Sequence, residues 1–452
     1  METLTPPIAT AWRKELLRRI EPLTSRPELI ILTVMAALVF GQAAVKHRTD
    51  PGSADRASIV IARQIYGADP QAGPRAERQI RAPGYPLILA AIASVDASVA
   101  RGLSCAGELP EGCTSGFPFL SVVILQTLAA ILALFLIYRL AFRLSGSHEV
   151  AIITLLLACV WGRFADYAGN LFGHTFYQLG VVASLYLLVP SGTSLSIRRT
   201  LVAGAVAGAT ALIEPTFIVV AAVAALILGL SGLSGRAGSR SLSAAFATGC
   251  LGAIVLMLAL AYSAGYDPQG IARHMIWGLA ERVAFNRLEG ATWWAAVLLP
   301  IPIFGPIFSL LFPAQIIDSF GYYTPGTLVF DGTTRILPET MAQPGNAWSQ
   351  LFWLLRTHVL GEPAGYLTST AALLMRGLWA GGALIALIGV FQVAPMLRWA
   401  RIGPRYQSTV RIVLLTAALL VAGTLLTSNP IYLHPMLAFV YAYAIAYVAG
   451  GR

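Results

Sequence analysis

Two aspartates, Asp50 and Asp55, follow closely on the first long apolar run of the chain, Glu28–Val45. A carboxylate at such a boundary can serve as general base toward an acceptor hydroxyl if its surroundings tune its proton affinity. A solvated loop acid, or a charge stabilising the start of a helix, has the same appearance in sequence. Three arginines in polar stretches, Arg81, Arg273 and Arg287, carry the planar fork that grips phosphate bidentately, and His274 and His358 are near in the chain. Contact with lipid headgroups or structural acids is an equal role for them. Trp293, Trp294, Tyr322, Tyr323 and Trp348 have the pattern of an interfacial aromatic belt. Metal binding has no motif: the six histidines are scattered, with neither H-x-x-x-H nor H-E-x-x-H. A divalent cation is neither required nor excluded. No P-loop and no G-x-S-x-G elbow is present, and no dinucleotide fingerprint stands in the right context, which argues against cytoplasmic ATP-driven chemistry.

The elements that must position these residues are set by composition. Of 452 residues, 57% are hydrophobic and only 12% charged, and mean hydropathy is +0.71. A soluble protein carries about twice that charged fraction. The chain therefore reads as an integral membrane protein. Its net charge of +10, from 31 basic and 21 acidic residues, falls in short loops between apolar runs. That pattern follows the positive-inside rule and excludes a nucleic-acid-binding stripe. The first 27 residues are polar and basic, with no cleavable signal, and read as a cytoplasmic amphipathic segment. Cys159 and Cys250 lie in apolar runs as small core residues. Cys105 and Cys113 flank a short polar loop without a nearby histidine, so a disulfide in an oxidising compartment suits them better than zinc.

Apolar runs near the length of a bilayer predict about ten transmembrane helices. Glu28–Val45 runs outward. A long outer loop, 46–116, then holds two short helices. In the first, Ala57, Ile61 and Ile65 recur at helical spacing after a candidate cap at Ser53. Tyr85–Val99, too short to span, is expected at the surface. Further spans are Phe117–Tyr138, Glu149–Arg163, His174–Val189, Thr200–Ile213, Thr216–Leu230 and Leu242–Ser263, with a break at Glu214-Pro215 because proline cannot continue the helix. Residues 264–370 form an outer or re-entrant segment, in which the proline-interrupted run Trp293–Phe312 either spans or re-enters. Ala371–Val393, Thr409–Thr427 and His434–Ala449 complete the C-terminal helices of 371–452. The divisions are thus 1–27, the core 28–263, 264–370 and 371–452, with both termini cytoplasmic in a bacterial inner membrane. Acids, histidines and aromatics concentrate in the outer segments, which places function on the outer face.

The stretch ADRASIVIARQIYG, followed by RAPGYPLILAAIA, resembles the first periplasmic loop of membrane glycosyltransferases of the GT-C fold, the superfamily of the lipid A aminoarabinose transferases and protein O-mannosyltransferases. The matching residues are Asp55, then Arg81, Pro83, Gly84, Tyr85, Pro86 and Leu87. The resemblance implies that Asp55 is the catalytic base, with Asp50 as the fallback. Asp55-Arg56 stands where the family often has Asp-Glu. Three later stretches match loosely. In VAGAVAGATALIEPTFIVVAA the Gly-rich span ends at Glu214, where a basic residue is usual. SNPIYLHPMLAFVYAY carries Tyr432, His434 and Pro435 but lacks the family's arginine. NLFGHTFYQLGVVASLYLL has His174 in place of an acid, with Asp166 eight residues earlier. The matches extend over residues 28 to about 260 and 371 to 449. They imply transfer of a sugar from a polyprenyl-phosphate carrier to a lipid, glycan or protein acceptor, with membrane lipids as surroundings. Arg81, Tyr85, Asp166, His174, Glu214, Arg273, His274, Tyr432 and His434 are the expected substrate contacts. A sugar-lining role for Trp293, Trp294, Tyr322, Tyr323 and Trp348 is implied only by this resemblance. A secondary transporter or lipid flippase is the alternative; it would need charge within the spans, where Glu214 is the main exception.

Overall fold

The computed structural model describes residues 33–34, 36–42, 56–67, 81–105, 119–145, 148–161, 164–189, 195–230, 239–301, 304–320 and 325–380. Asp50, Asp55, Cys113, Tyr322, Tyr323, Tyr432, His434 and the last two expected spans lie outside them. The described structure is helical, with no strand among those residues. Two helices are long and apolar enough to cross a bilayer: Leu120–Arg143, of mean hydropathy 2.7, and Arg240–Ser263, of mean hydropathy 2.2. Among the described residues the structure is all-α, consistent with a polytopic membrane protein.

A first layer comprises α1 (Arg56–Tyr66), α2 (Gly84–Ala93) and α3 (Ala97–Cys105). It is more deeply embedded than the sequence suggests. On α1, Ile59, Ile61 and Ala62 are all buried, because the helix is wedged between α2 and the end of the main bundle, where Ile61 meets Ala261 and Tyr266. The expected surface helix Tyr85–Val99 is two helices, and Tyr85, Leu89, Ala90 and Ala93 of α2 are buried. The chain breaks at Asp96, whose Oδ1 accepts from the Ser98 N–H at 2.8 Å and the Ser98 hydroxyl at 2.6 Å. This is side-chain capping of α3.

The main bundle comprises α4 (Leu120–Ser145), α5 (His148–Trp161), α6 (Phe164–Gly169), α7 (His174–Leu188), α8 (Ile197–Ile213), α9 (Phe217–Leu230) and α10 (Ser239–Ser263). Its tightest seam joins α8 to α10. A Cβ added at Gly204 would lie 2.0 Å from the Phe246 carbonyl oxygen, one at Gly208 2.3 Å from that of Cys250, and one at Gly249 2.1 Å from that of Leu201. The spacing Gly204-x-x-x-Gly208 brings the two backbones together, as small residues do between helices in lipid. The opposite face of α10 exposes Leu251, Val255, Leu256 and Leu260, as a lipid-facing surface requires.

A third layer follows: α11 (Gln269–Val283), a 3₁₀ turn (Ala284–Arg287), α12 (Gly290–Leu298), α13 (Gly305–Ser309), α14 (Ala314–Asp318), α15 (Leu328–Met341), α16 (Ala347–Leu354), a π-helical turn (Leu355–Leu360) and α17 (Pro363–Ala380). The run Trp293–Phe312 is divided between α12 and α13, so no single helix crosses there. Leu310 and Leu311 are 85% and 69% exposed. The α17 helix begins at Pro363, eight residues before the expected span. It is tied to α11 by Arg282, which is fully buried. Arg282 donates to Ser369 Oγ at 3.0 Å, to the Tyr366 carbonyl at 3.0 Å and to the Thr370 hydroxyl, and lies over the Tyr366 ring.

Candidate functional site

The three layers meet at a cavity of about 370 Å³. Its walls come from the start of α2, the α6–α7 turn, the α8–α9 break and one face of α11, with Ser58 of α1 also lining it. The segment Arg81–Pro86 does most of the positioning. Gly84 lets α2 press on the end of α8: a Cβ there would lie 2.7 Å from both the carbonyl carbon and oxygen of Leu212. The Ala82 N–H then donates to His274 Nδ1 at 3.0 Å. The Arg81 carbonyl accepts from the Tyr266 hydroxyl at 2.9 Å. The buried Tyr85 hydroxyl donates to Gln126 Oε1 at 2.9 Å. Gln126 Nε2 in turn donates to the carbonyls of Tyr167, Ala168 and Asn170 at 3.1, 3.3 and 2.6 Å, which fixes the α6–α7 turn.

Glu214 closes one end of the cavity. It caps α8 with extended backbone angles, φ −135° and ψ 101°, because the residue before a proline is excluded from the helical region. The side chain is 5% exposed. Its Oε1 accepts from the Thr216 hydroxyl at 3.1 Å. Its Oε2 is 3.6 Å from His274 Nε2. Since His274 Nδ1 is an acceptor, the ring proton sits on Nε2 and faces this carboxylate. Burial opposes ionisation of Glu214, but His274, His174 and the Thr216 hydroxyl outweigh it and hold the carboxyl below its ordinary range. His174 is stacked on Phe172, centroids 5.5 Å apart, and meets the Tyr167 ring edge-on at 5.1 Å.

On α11, His274, Trp277, Gly278 and Glu281 share one helical face and line the cavity. Trp277 Nε1 donates to Glu281 Oε1 at 2.7 Å. Arg273 turns elsewhere and pairs with Asp267 at 2.9 Å. Of the residues expected from sequence, Arg81, Tyr85, His174, Glu214 and His274 are thus brought together, and Arg273 is not among the lining residues. Asp166 lies on α6, one residue before the lining Tyr167. Arg287 is exposed. Cys105 ends α3. The aromatic lining is Tyr85, Tyr167, Phe172, Tyr177 and Trp277, not the aromatics picked from the outer segment. Trp293 instead donates to the Thr368 carbonyl at 2.9 Å, and Trp294 and Trp348 are exposed. The sequence signal for α11 was His274, Trp277 and Glu281, spaced for one face. No group of three or more His, Cys, Asp or Glu suited to a metal occurs among the described residues.

No family model matches the chain, and no curated protein sequence matches it. Solved structures do. The archaeal oligosaccharyltransferase AglB from Archaeoglobus fulgidus, determined with an inhibitory peptide and a dolichol-phosphate, superposes with a TM-score of 0.52 at 14% identity. The alignment covers 94% of this chain and 50% of that one, so this chain spans about half of AglB's length. ArnT from Cupriavidus metallidurans, determined with undecaprenyl phosphate, aligns at a TM-score of 0.41 and 13% identity over 94% of this chain and 78% of that one. The chain has the GT-C fold of membrane glycosyltransferases.

Proposed function

We propose that the protein is a glycosyltransferase that moves a sugar from a polyprenyl-phosphate carrier to a lipid, glycan or protein acceptor at the periplasmic face of a bacterial inner membrane. The observation that carries this reading is the cavity on a GT-C scaffold, built from the RAPGYP segment, the α8–α9 break and α11. It is lined by aromatic rings and a few polar groups, the composition of a small-ligand site. Asp55 is the general base in this reading and Asp50 its fallback. Support comes from the chain itself: Asp55 directly precedes α1, whose Ser58 lines the cavity. The wider architecture is ten spans in the four divisions given above, with both termini cytoplasmic and Cys105 and Cys113 paired outside. Tyr432 and His434 contribute to the substrate site from the last outer turn.

The test is sugar transfer by purified protein supplied with labelled polyprenyl-phosphate sugars and membrane acceptors. Asp55→Asn should abolish transfer while leaving expression and thermal stability at the wild-type level. Full activity in that variant would move the base to Asp50 or Asp166. A wild-type protein that carries such lipids across vesicles without cleaving the sugar–phosphate bond would favour the flippase.

A further inference from the structure

The end of the bundle away from the cavity gathers cations. Arg143, in the last turn of α4, reaches across to Tyr186 of α7. It donates to the Tyr186 hydroxyl, and its guanidinium lies 3.9 Å from the centre of that ring. Arg199, in the first turn of α8, donates to the Tyr186 carbonyl at 2.6 Å and lies 5.7 Å from the same ring. Cations from two helices thus converge on a tyrosine of a third. Arg139, one turn before Arg143, is exposed and close enough to repel it, as Arg199 does. An arginine that only marks the edge of a bilayer stretches its head out into water. Arg143 instead folds onto a neighbouring helix, half-buried and beside two like charges. Among the described residues its hydrogen bonds go to Tyr186 alone, so donors of its fork remain for an anion.

The same face of α4 carries an apolar track. Leu128, Leu132, Phe135 and Arg139 recur at helical spacing, and all are exposed. The first three line a groove of about 280 Å³, with Ala36 of the first apolar helix and Leu155 of α5 on its other walls. At 1.5 Å per residue, Phe135 lies about 6 Å along the helix from Arg139 and about 12 Å from Arg143. The track therefore ends at the cations.

We infer that this face of α4 binds an anionic glycerophospholipid, its phosphate seated among Arg139, Arg143 and Arg199 and an acyl chain in the groove. Charge complementarity selects the head, and the groove selects a lipid over a free anion. In the orientation proposed above, this end meets the cytoplasmic leaflet, where basic pockets between helices take anionic headgroups. The inference does not depend on the proposed transfer: Arg199 and Glu214 stand at opposite ends of α8, roughly 20 Å apart.

The experiment uses the full chain, purified in detergent and stripped of lipid, with native mass spectrometry and thermal unfolding as readouts. The probes are phosphatidylglycerol, phosphatidylcholine with the same acyl chains, undecaprenyl phosphate and inorganic phosphate. Phosphatidylglycerol should be retained about tenfold or more tightly than phosphatidylcholine and should raise the thermal midpoint. Arg143→Gln should weaken it about tenfold or more, the loss expected for a hydrogen bond between charged groups. Arg139→Gln, at an exposed position, should weaken it several-fold, and it decides the matter if Arg143→Gln does not fold. Leu132→Trp, which fills the groove, should weaken both phospholipids alike. Equal retention of the two phospholipids, or wild-type affinity in the folded variants, overturns the inference. Displacement by inorganic phosphate also overturns it, because the site would then take an anion without a lipid. So does displacement by undecaprenyl phosphate at a lower concentration than phosphatidylglycerol itself requires, because the site would then belong to the carrier.

Discussion

Replacing Gly84 with alanine sets two effects of opposite sign against each other. Alanine is favoured over glycine in helices by up to about 1 kcal/mol, so on propensity alone Gly84→Ala would stabilise α2. The structure predicts the reverse. The new Cβ would lie 2.7 Å from the Leu212 carbonyl carbon and oxygen and 2.8 Å from Ile213 Cγ1. Two of these atoms are backbone at the end of a packed helix, which cannot rotate away. Restoring ordinary carbon contact near 3.5 Å requires a shift of roughly 0.8 Å. Directed away from α8, that shift would stretch the 3.0 Å bond from Ala82 N–H to His274 Nδ1 to roughly 3.8 Å, beyond hydrogen-bond range. Overpacking costs about 1–3 kcal/mol and the lost hydrogen bond about 1 kcal/mol more, so the net change is a loss of about 1–3 kcal/mol. Transfer should fall by up to about a hundredfold, since misplacing catalytic geometry by an ångström costs that much. Gly252→Ala is the matched control. It lies inside α10 with nothing within 4 Å of its added Cβ, so its thermal midpoint should hold or rise. Both variants are measured by thermal unfolding in detergent and by turnover. A Gly84→Ala protein as stable and active as Gly252→Ala would refute the packing argument.

Gly208→Leu places a large side chain against the Cys250 backbone; separation of α8 from α10 should cut folded yield in detergent sharply, whereas Gly252→Leu should be tolerated. Arg282→Ala removes the guanidinium donor from the Ser369 and Thr370 hydroxyls and one of the donors to the Tyr366 carbonyl, which still accepts from Thr370, and should cost about 1–3 kcal/mol, measured as a drop in denaturant midpoint. Asp96 is held down to about 2 by the nearby Ser121 hydroxyl and by the hydrogen bonds it accepts from Ser98. Its stabilising contribution is therefore complete above the ordinary aspartate range near 3.8 and disappears as pH falls through about 2. Amide exchange in α3 should quicken over that window, and Asp96→Asn should remove the dependence.

The helices were legible because membrane-length apolar runs and proline breaks leave few alternatives. Phe117–Tyr138 corresponds to Leu120–Ser145, and the break at Glu214-Pro215 stands between α8 and α9. The burial of α1 and α2 was not legible, since a short amphipathic helix has the same pattern against lipid as against protein. The cut at Asp96 was missed because a single capping acid inside an apolar run carries little weight. The cavity eluded sequence for another reason: Ala82 and His274 are 192 residues apart, and nothing local announces their meeting. Arg273 illustrates the opposite error. An arginine suited to phosphate was visible, and so was Asp267 six residues earlier, close enough to claim it.

The glycine seam between α8 and α10 has a mechanical consequence. Two rods whose main chains touch cannot slide or pivot independently without prising apart carbonyls that already sit at the limit of approach, so they form a single stiff strut. Any ligand admitted to the cavity must then be accommodated by the partners on its far sides, the RAPGYP segment and α11. The strand of hydrogen bonds from Ala82 to His274 and from Tyr266 to Arg81 is the latch that such an opening would have to undo.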